Sequence, residues 1–244
     1  MLFRALVQLF TILLATLVLG TAVIVLCPLD FSRRLFMFLA RVWGRLLCWA
    51  AGVRVEVSGR AEIMPGCASV FIPNHASLLD VPALLLAIPV NFRVIAKRAL
   101  FFIPVFGQAL WAAGIIPIDR RNRSRAIISM GRAAGKIRRG QSVLVFAEGT
   151  RSKNGRLLPF KKGAFIMAIQ SGAPIQPVVV TGSRDLLPPG KWLARSGTIR
   201  VAFLRPIPTS GLTLHDRDRL MSCVFDKMQA ALAGQGHPVS GAAP

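Results

Sequence analysis

Ser69-Val70-Phe71-Ile72-Pro73-Asn74-His75-Ala76-Ser77-Leu78-Leu79-Asp80 holds a strand, a break and a helix start in one short stretch. Ser69–Ile72 is an apolar, β-branched run bounded by Pro73 and Asn74, which reads as a buried strand. Ser77-Leu78-Leu79-Asp80 fits a capping box, the reciprocal serine–carboxylate pairing that opens a helix, here predicted over Val81–Ala87.

The same alternation extends in both directions. Val53–Val57, Phe92–Ala96, Gly114–Ile118, Ser142–Phe146, Ile175–Thr181 and Thr198–Phe203 read as strands, rich in Val and Ile. Helices are predicted over Val105–Ala113, Ser124–Arg139 and Lys161–Ser171. A last one, Leu214–Ala233, carries Leu220, Met221, Val224, Phe225, Met228 and Leu232 at helical spacing. Strands alternating with helices predict an α/β fold: a mixed, largely parallel sheet flanked by helices.

Upstream of this domain, Ala5–Cys27 runs without a charge. As a helix it would reach about 34 Å, against a bilayer core of about 30 Å. Phe31–Ala51 comes next, apolar but carrying Arg33, Arg34, Arg41 and Arg45 with Trp43 and Trp49. That mix suits a helix at the membrane interface, with arginine stems snorkelling and tryptophans at headgroup depth. Residues 1–51 are thus expected to form a membrane anchor, either a spanning helix or a monotopic helical hairpin. Residues 52–233 are expected to form one catalytic domain, and 234–244 a disordered tail. One arginine precedes the apolar run and four come after it, so the domain is expected on the cytoplasmic side of the membrane.

The chain has 244 residues, 53% of them hydrophobic, with 31 Lys+Arg against 10 Asp+Glu and a net charge of +21. This excludes disorder and an ordinary soluble enzyme surface, and calls for an anionic partner. No helix-turn-helix, zinc-finger or RNA-binding pattern is present, so nucleic acid is not expected; an anionic membrane surface is. The four cysteines form neither a CxxC pair nor a zinc cluster, and read as reduced packed thiols.

Chemistry concentrates after two strands. His75 stands five residues before Asp80, a spacing that would separate them by about 140° on a helix. A strand-to-helix turn can instead fold the imidazole back onto the carboxylate, which would orient it as a general base. No serine or cysteine nucleophile accompanies the pair, so the base would act on a substrate hydroxyl. The second cluster is Glu148-Gly149-Thr150-Arg151-Ser152, in a stretch where Glu148 is the only acid from Arg120 to Lys162. There Gly149 permits a sharp turn, and Thr150 and Arg151 offer donors suited to phosphate.

Asn74-His75 with Asp80, and further along Glu148-Gly149-Thr150-Arg151-Ser152, resembles the glycerolipid acyltransferase family, and within it the lysophosphatidate-acylating branch. Ala96–Gly107, Ile118-Asp119-Arg120, Pro159–Ala164 and Ala173–Val178 resemble further blocks of that family in the same order. Ala147 and Ala99 depart from it, standing where proline and a polar residue are frequent. The resemblance implies transfer of an acyl chain from acyl-CoA or acyl-acyl carrier protein to the sn-2 hydroxyl of 1-acyl-sn-glycerol 3-phosphate. Phosphatidic acid would be the product; glycerol 3-phosphate, another lysophospholipid or lyso-ornithine lipid are the alternative acceptors. It further implies His75 as base, Asp80 as its orienting partner, and Glu148, Gly149, Thr150 and Arg151 in the acceptor site. Lys97 and Arg120 would add positive charge near the acceptor phosphate. No metal or cofactor is implied beyond the thioester co-substrate.

Overall fold

The computed structural model describes residues 2–27, 34–119 and 122–234. Seven strands form one sheet: β1 (Val53–Ser58), β2 (Val70–Pro73), β3 (Phe92–Lys97), β4 (Ile116–Ile118), β5 (Ser142–Leu144), β6 (Ile175–Thr181) and β7 (Gly197–Phe203). Their spatial order is β1-β7-β6-β2-β5-β3-β4. Five strands, from β6 to β4, run parallel. β7 pairs antiparallel with β6 and parallel with β1, so two strands at one edge run the other way.

Side chains alternate across the pleat, and each face of β2 serves a different layer. Val70 and Ile72 pack under α5 (Arg123–Arg138), α6 (Gly163–Ser171) and α8 (Arg217–Gly234). Phe71 points the other way, into a cluster with α2 (Arg34–Ala51) and α3 (Asp80–Ala87). The α/β expectation with a mixed, largely parallel sheet is what is observed.

Element boundaries differ in places with identifiable causes. α3 begins at Asp80 itself, and only half of the capping box forms. The Ser77 amide donates to the Asp80 carboxylate, but the Ser77 hydroxyl accepts from Leu79 N–H and donates to Leu187 O. β5 ends at Leu144, not Phe146, because the chain turns early to deliver the Glu148 segment. A short helix, α7 (Ser183–Leu186), had no periodicity to announce it.

The first helix, α1 (Leu2–Leu26), runs back along α2 and reaches α4 (Phe106–Ala112). Arg4 donates to Ala51 O at 2.7 Å, and Trp43 Nε1 donates to Thr16 Oγ1 at 3.1 Å. Val23 and Cys27 are buried with Phe101, Ala109, Ala113 and Ile115. Gly20 lies so close to α4 that a Cβ there would sit 2.9 Å from Val105 Cγ1. The helix is therefore packed on the domain along its length, while Leu6, Leu9, Phe10, Leu13 and Leu17 remain exposed on its outer side. Arg41 does not snorkel: its guanidinium donates to Ile88, Pro89 and Val90 carbonyls just beyond α3, a cation at a helix C-terminus. The remainder of the expected interface segment, Phe31 to Arg33, and the tail from 235 onward lie outside the described residues.

Candidate active site

β2 is a central strand, and the chain beyond Pro73 emerges at the C-terminal edge of the parallel strands, where α/β sheets place their sites. Asn74 replaces the missing ladder pair: its Nδ2 donates to Val180 O at 2.9 Å, and Val180 N–H donates to Oδ1 at 2.7 Å. This anchors the chain on β6 immediately before it turns.

The turn is wound around one carboxylate. Asp80 Oδ2 accepts from Ala76 N–H and Ser77 N–H, each at 2.8 Å, and lies 2.8 Å from His75 Nδ1. Asp80 is fully buried and sits at the N-terminus of α3, where the helix dipole also favours negative charge. Engagement of Nδ1 leaves Nε2 as the nitrogen open to substrate. The Phe146 ring stacks on the imidazole with centroids 3.9 Å apart and planes 24° from parallel, fixing the ring plane.

Glu148 closes the other side. Its Oε1 accepts from His75 N–H at 2.7 Å and its Oε2 from Leu158 N–H at 3.0 Å. The residue is 2% exposed. Burial pushes its carboxyl up to about 7, against the two amide hydrogen bonds that lower it, with the nearby Asp80 charge adding to the rise. Ser152 N–H donates to His75 O at 2.8 Å, a second hydrogen bond between the two motif segments.

A general base oriented by a carboxylate, with the Ser77 hydroxyl in the same turn already donating to Leu187 O, is an arrangement suited to activating a bound hydroxyl. A family profile described as Acyltransferase matches residues 54–181, which span every one of these groups. The chain belongs to the acyltransferase family. It is 40% identical over 178 residues to human 1-acyl-sn-glycerol-3-phosphate acyltransferase alpha, covering 72% of this chain and 63% of that one. It is 34% identical over 220 residues to the 1-acyl-sn-glycerol-3-phosphate acyltransferase of Limnanthes alba, covering 89% and 78%. The chain thus spans rather less than two thirds of the human relative's length. The crystal structure of the 1-acyl-sn-glycerophosphate acyltransferase PlsC from Thermotoga maritima shares the fold, with TM-score 0.83, 24% identity and 98% coverage of both chains.

Within this acyltransferase, the expected site residues separate into two groups. His75, Asp80 and Glu148 meet in one hydrogen-bonded cluster. Gly149 (φ 73°) turns the chain, after which Thr150 is exposed and Arg151 half-buried. Arg151 has no hydrogen bond or ion pair to protein among the described residues, so its donors are open to a ligand. Lys97 stands exposed at the end of β3, on the same edge of the sheet. Arg120 lies outside the described residues; Asp119 before it is bridged to Arg98 and Arg125 at 3.7 and 3.6 Å.

Three contributors escaped the sequence reading: Asn74 as a substitute ladder rung, Phe146 as the stacking surface, and Leu158 as a partner of Glu148. Their partners lie far along the chain, and no local pattern marks such contacts. The adjacency of Asn74 to His75 was the one available hint.

Proposed function

We propose that this acyltransferase moves an acyl chain from a thioester to the sn-2 hydroxyl of 1-acyl-sn-glycerol 3-phosphate, giving phosphatidic acid and a free thiol. The His75–Asp80 pair carries the reading. His75 Nε2 takes the hydroxyl proton as the oxygen bonds to the thioester carbonyl carbon; the carbon–sulfur bond then breaks and the proton passes to the leaving thiolate. Asp80 holds the imidazole through Nδ1 and stabilises its cationic form. Ser77, the hydroxyl residue within the turn, has its proton committed to Leu187 O, which favours direct transfer over an acyl-enzyme.

Arg151, with its donors uncommitted, holds the acceptor phosphate, and Lys97 and Arg120 add to the positive field there. Glu148 contributes from beneath: with both oxygens on backbone amides, it positions the His75 turn instead of touching the acceptor. The thioester is acyl-CoA or acyl-acyl carrier protein, already activated, so the chemistry calls for no metal or cofactor. The family membership, the uncommitted arginine and the relatives' acceptor support phosphorylated lysolipid over an uncharged one.

The enzyme works at the cytoplasmic face of the inner membrane. Because α1 packs along the domain while its outer side stays apolar, we favour a helical hairpin embedded in one leaflet over a helix that leaves the domain to cross the bilayer. Purified full-length protein assayed with a panel of lysolipids and both thioesters tests the proposal. Preferred turnover of 1-acyl-sn-glycerol 3-phosphate is expected, and indifference to the acceptor phosphate overturns it.

A further inference from the structure

Residues 187–196 join α7 to β7, and beyond Leu187 they take no part in the acyl-transfer chemistry. Pro188-Pro189-Gly190-Lys191 forms a hydrogen-bonded turn, with Lys191 N–H donating to Pro188 O at 3.1 Å and Gly190 at φ 88°. Proline and glycine at the two central positions make this a type II turn with little freedom left. Directly after it, Trp192 is 84% and Leu193 50% exposed. Lys191 and Arg195 flank them, exposed and without an acidic partner among the described residues.

The segment is held firmly behind these exposed groups. Gln8 of α1, itself buried, donates through Nε2 to Ala194 O at 2.9 Å and accepts from Ala194 N–H at 2.9 Å. Arg4 Nη1 donates to Ser196 Oγ at 3.4 Å, and Arg195 N–H donates to Leu186 O at 2.8 Å. Ala194 is thus docked on α1, and Trp192, two residues away, is within about 7 Å of chain of that helix. Gln8, in the first turns of an otherwise apolar helix, thus grips this loop from both sides of one peptide position, while Arg4 reaches both Ser196 and the end of α2 at Ala51 O.

We infer that residues 188–195 are a second membrane contact, with Trp192 and Leu193 entering the headgroup region of an anionic bilayer beside α1. Lys191 and Arg195 then lie at the level of the lipid phosphates, and tryptophan takes its preferred depth. Attachment of the loop to α1, a helix whose outer side is exposed and apolar, and the flanking cations favour a bilayer over a protein partner. The inference rests on the membrane reading of α1. It also links the bilayer to the chemistry, because Ser77 of the His75 turn donates to Leu187 O at the root of the loop.

The test uses full-length protein with vesicles of phosphatidylcholine and phosphatidylglycerol. The variant Trp192→Ala/Leu193→Ala should bind these vesicles about ten-fold or more weakly than wild type, with turnover of detergent-dispersed acceptor unchanged. Brominated lipid should quench wild-type fluorescence more than that of Trp192→Phe. Equal vesicle affinity and equal quenching would overturn the inference, while failure of wild type to bind at all overturns the membrane reading with it. Undiminished vesicle binding with turnover lost only for the acyl carrier protein thioester would assign the loop to an acidic protein and likewise overturn it.

Discussion

Asp80 spends one oxygen on three hydrogens, two from backbone and one from imidazole. An amide at this position keeps the shape but supplies no charge to stabilise the imidazolium. Asp80→Asn should therefore lower kcat by about 10²–10⁴-fold, and His75→Ala at least as much, with far-ultraviolet circular dichroism unchanged. Arg151→Ala should act differently, raising KM for the phosphorylated acceptor more than it lowers kcat; equal kinetics with an unphosphorylated analogue would check the assignment.

Glu148 makes a prediction of another kind. Its folded carboxyl lies near pH 7, well above the ordinary value of 4.5. Between those limits the native state holds a proton that the unfolded state has released, so stability from this group is greatest below about 4.5. It is lost as pH rises through about 7, a change on the order of 3 kcal/mol. Wild type should gain melting temperature relative to Glu148→Gln as pH is lowered from 8 to 5, and parallel profiles would refute the buried, proton-holding carboxylate. The variant also presents an amide nitrogen to a backbone N–H, so kcat should fall while acceptor KM stays near wild type.

At the scale of elements, strands and helices were readable because short continuous apolar runs rich in Val and Ile, buried on both faces in β2, β5 and β6, alternate with segments of period three to four. The His75–Asp80 approach was readable too, since a strand-to-helix turn brings together two side chains that a continuous helix would part. Strand order was not, and neither was the reversal at β7, since register between Val180 and Val201 is set by contacts that no local pattern encodes. The same holds for the contact of α1 with α4. There Val105 (φ 62°) occupies a γ-turn, with Phe106 N–H donating to Pro104 O at 2.7 Å, an unfavourable conformation for a β-branched residue. Packing of its side chain into the gap at Gly20 helps to offset that cost. Gly20→Val should force the two helices apart, lowering the melting temperature and opening α1 to limited proteolysis, whereas Gly131→Ala, with open space around it, should not.

For the whole molecule, the net charge of +21 implies salt-sensitive binding to anionic vesicles, falling steeply from about 50 to about 500 mM NaCl, with a residual apolar component that salt leaves intact. Removing residues 2–27 should not release a soluble enzyme. It would uncover Trp43, Phe101 and Ala109, and sedimentation should show aggregation or continued membrane binding instead.

The hydrogen bonds between Gln8 and Ala194 also set an order of events during biosynthesis. The helix leaves the ribosome first, yet its grip waits for a loop made roughly 190 residues later, on the order of 10–40 s at ordinary elongation rates. Through that interval an apolar helix must be sheltered by something other than its final partner. The lipid surface on which the finished enzyme works is the natural shelter, so membrane encounter should precede folding. Nascent chains halted before Ala194 should accordingly crosslink through α1 to lipid, and completed chains through α1 to residues 194–196 as well.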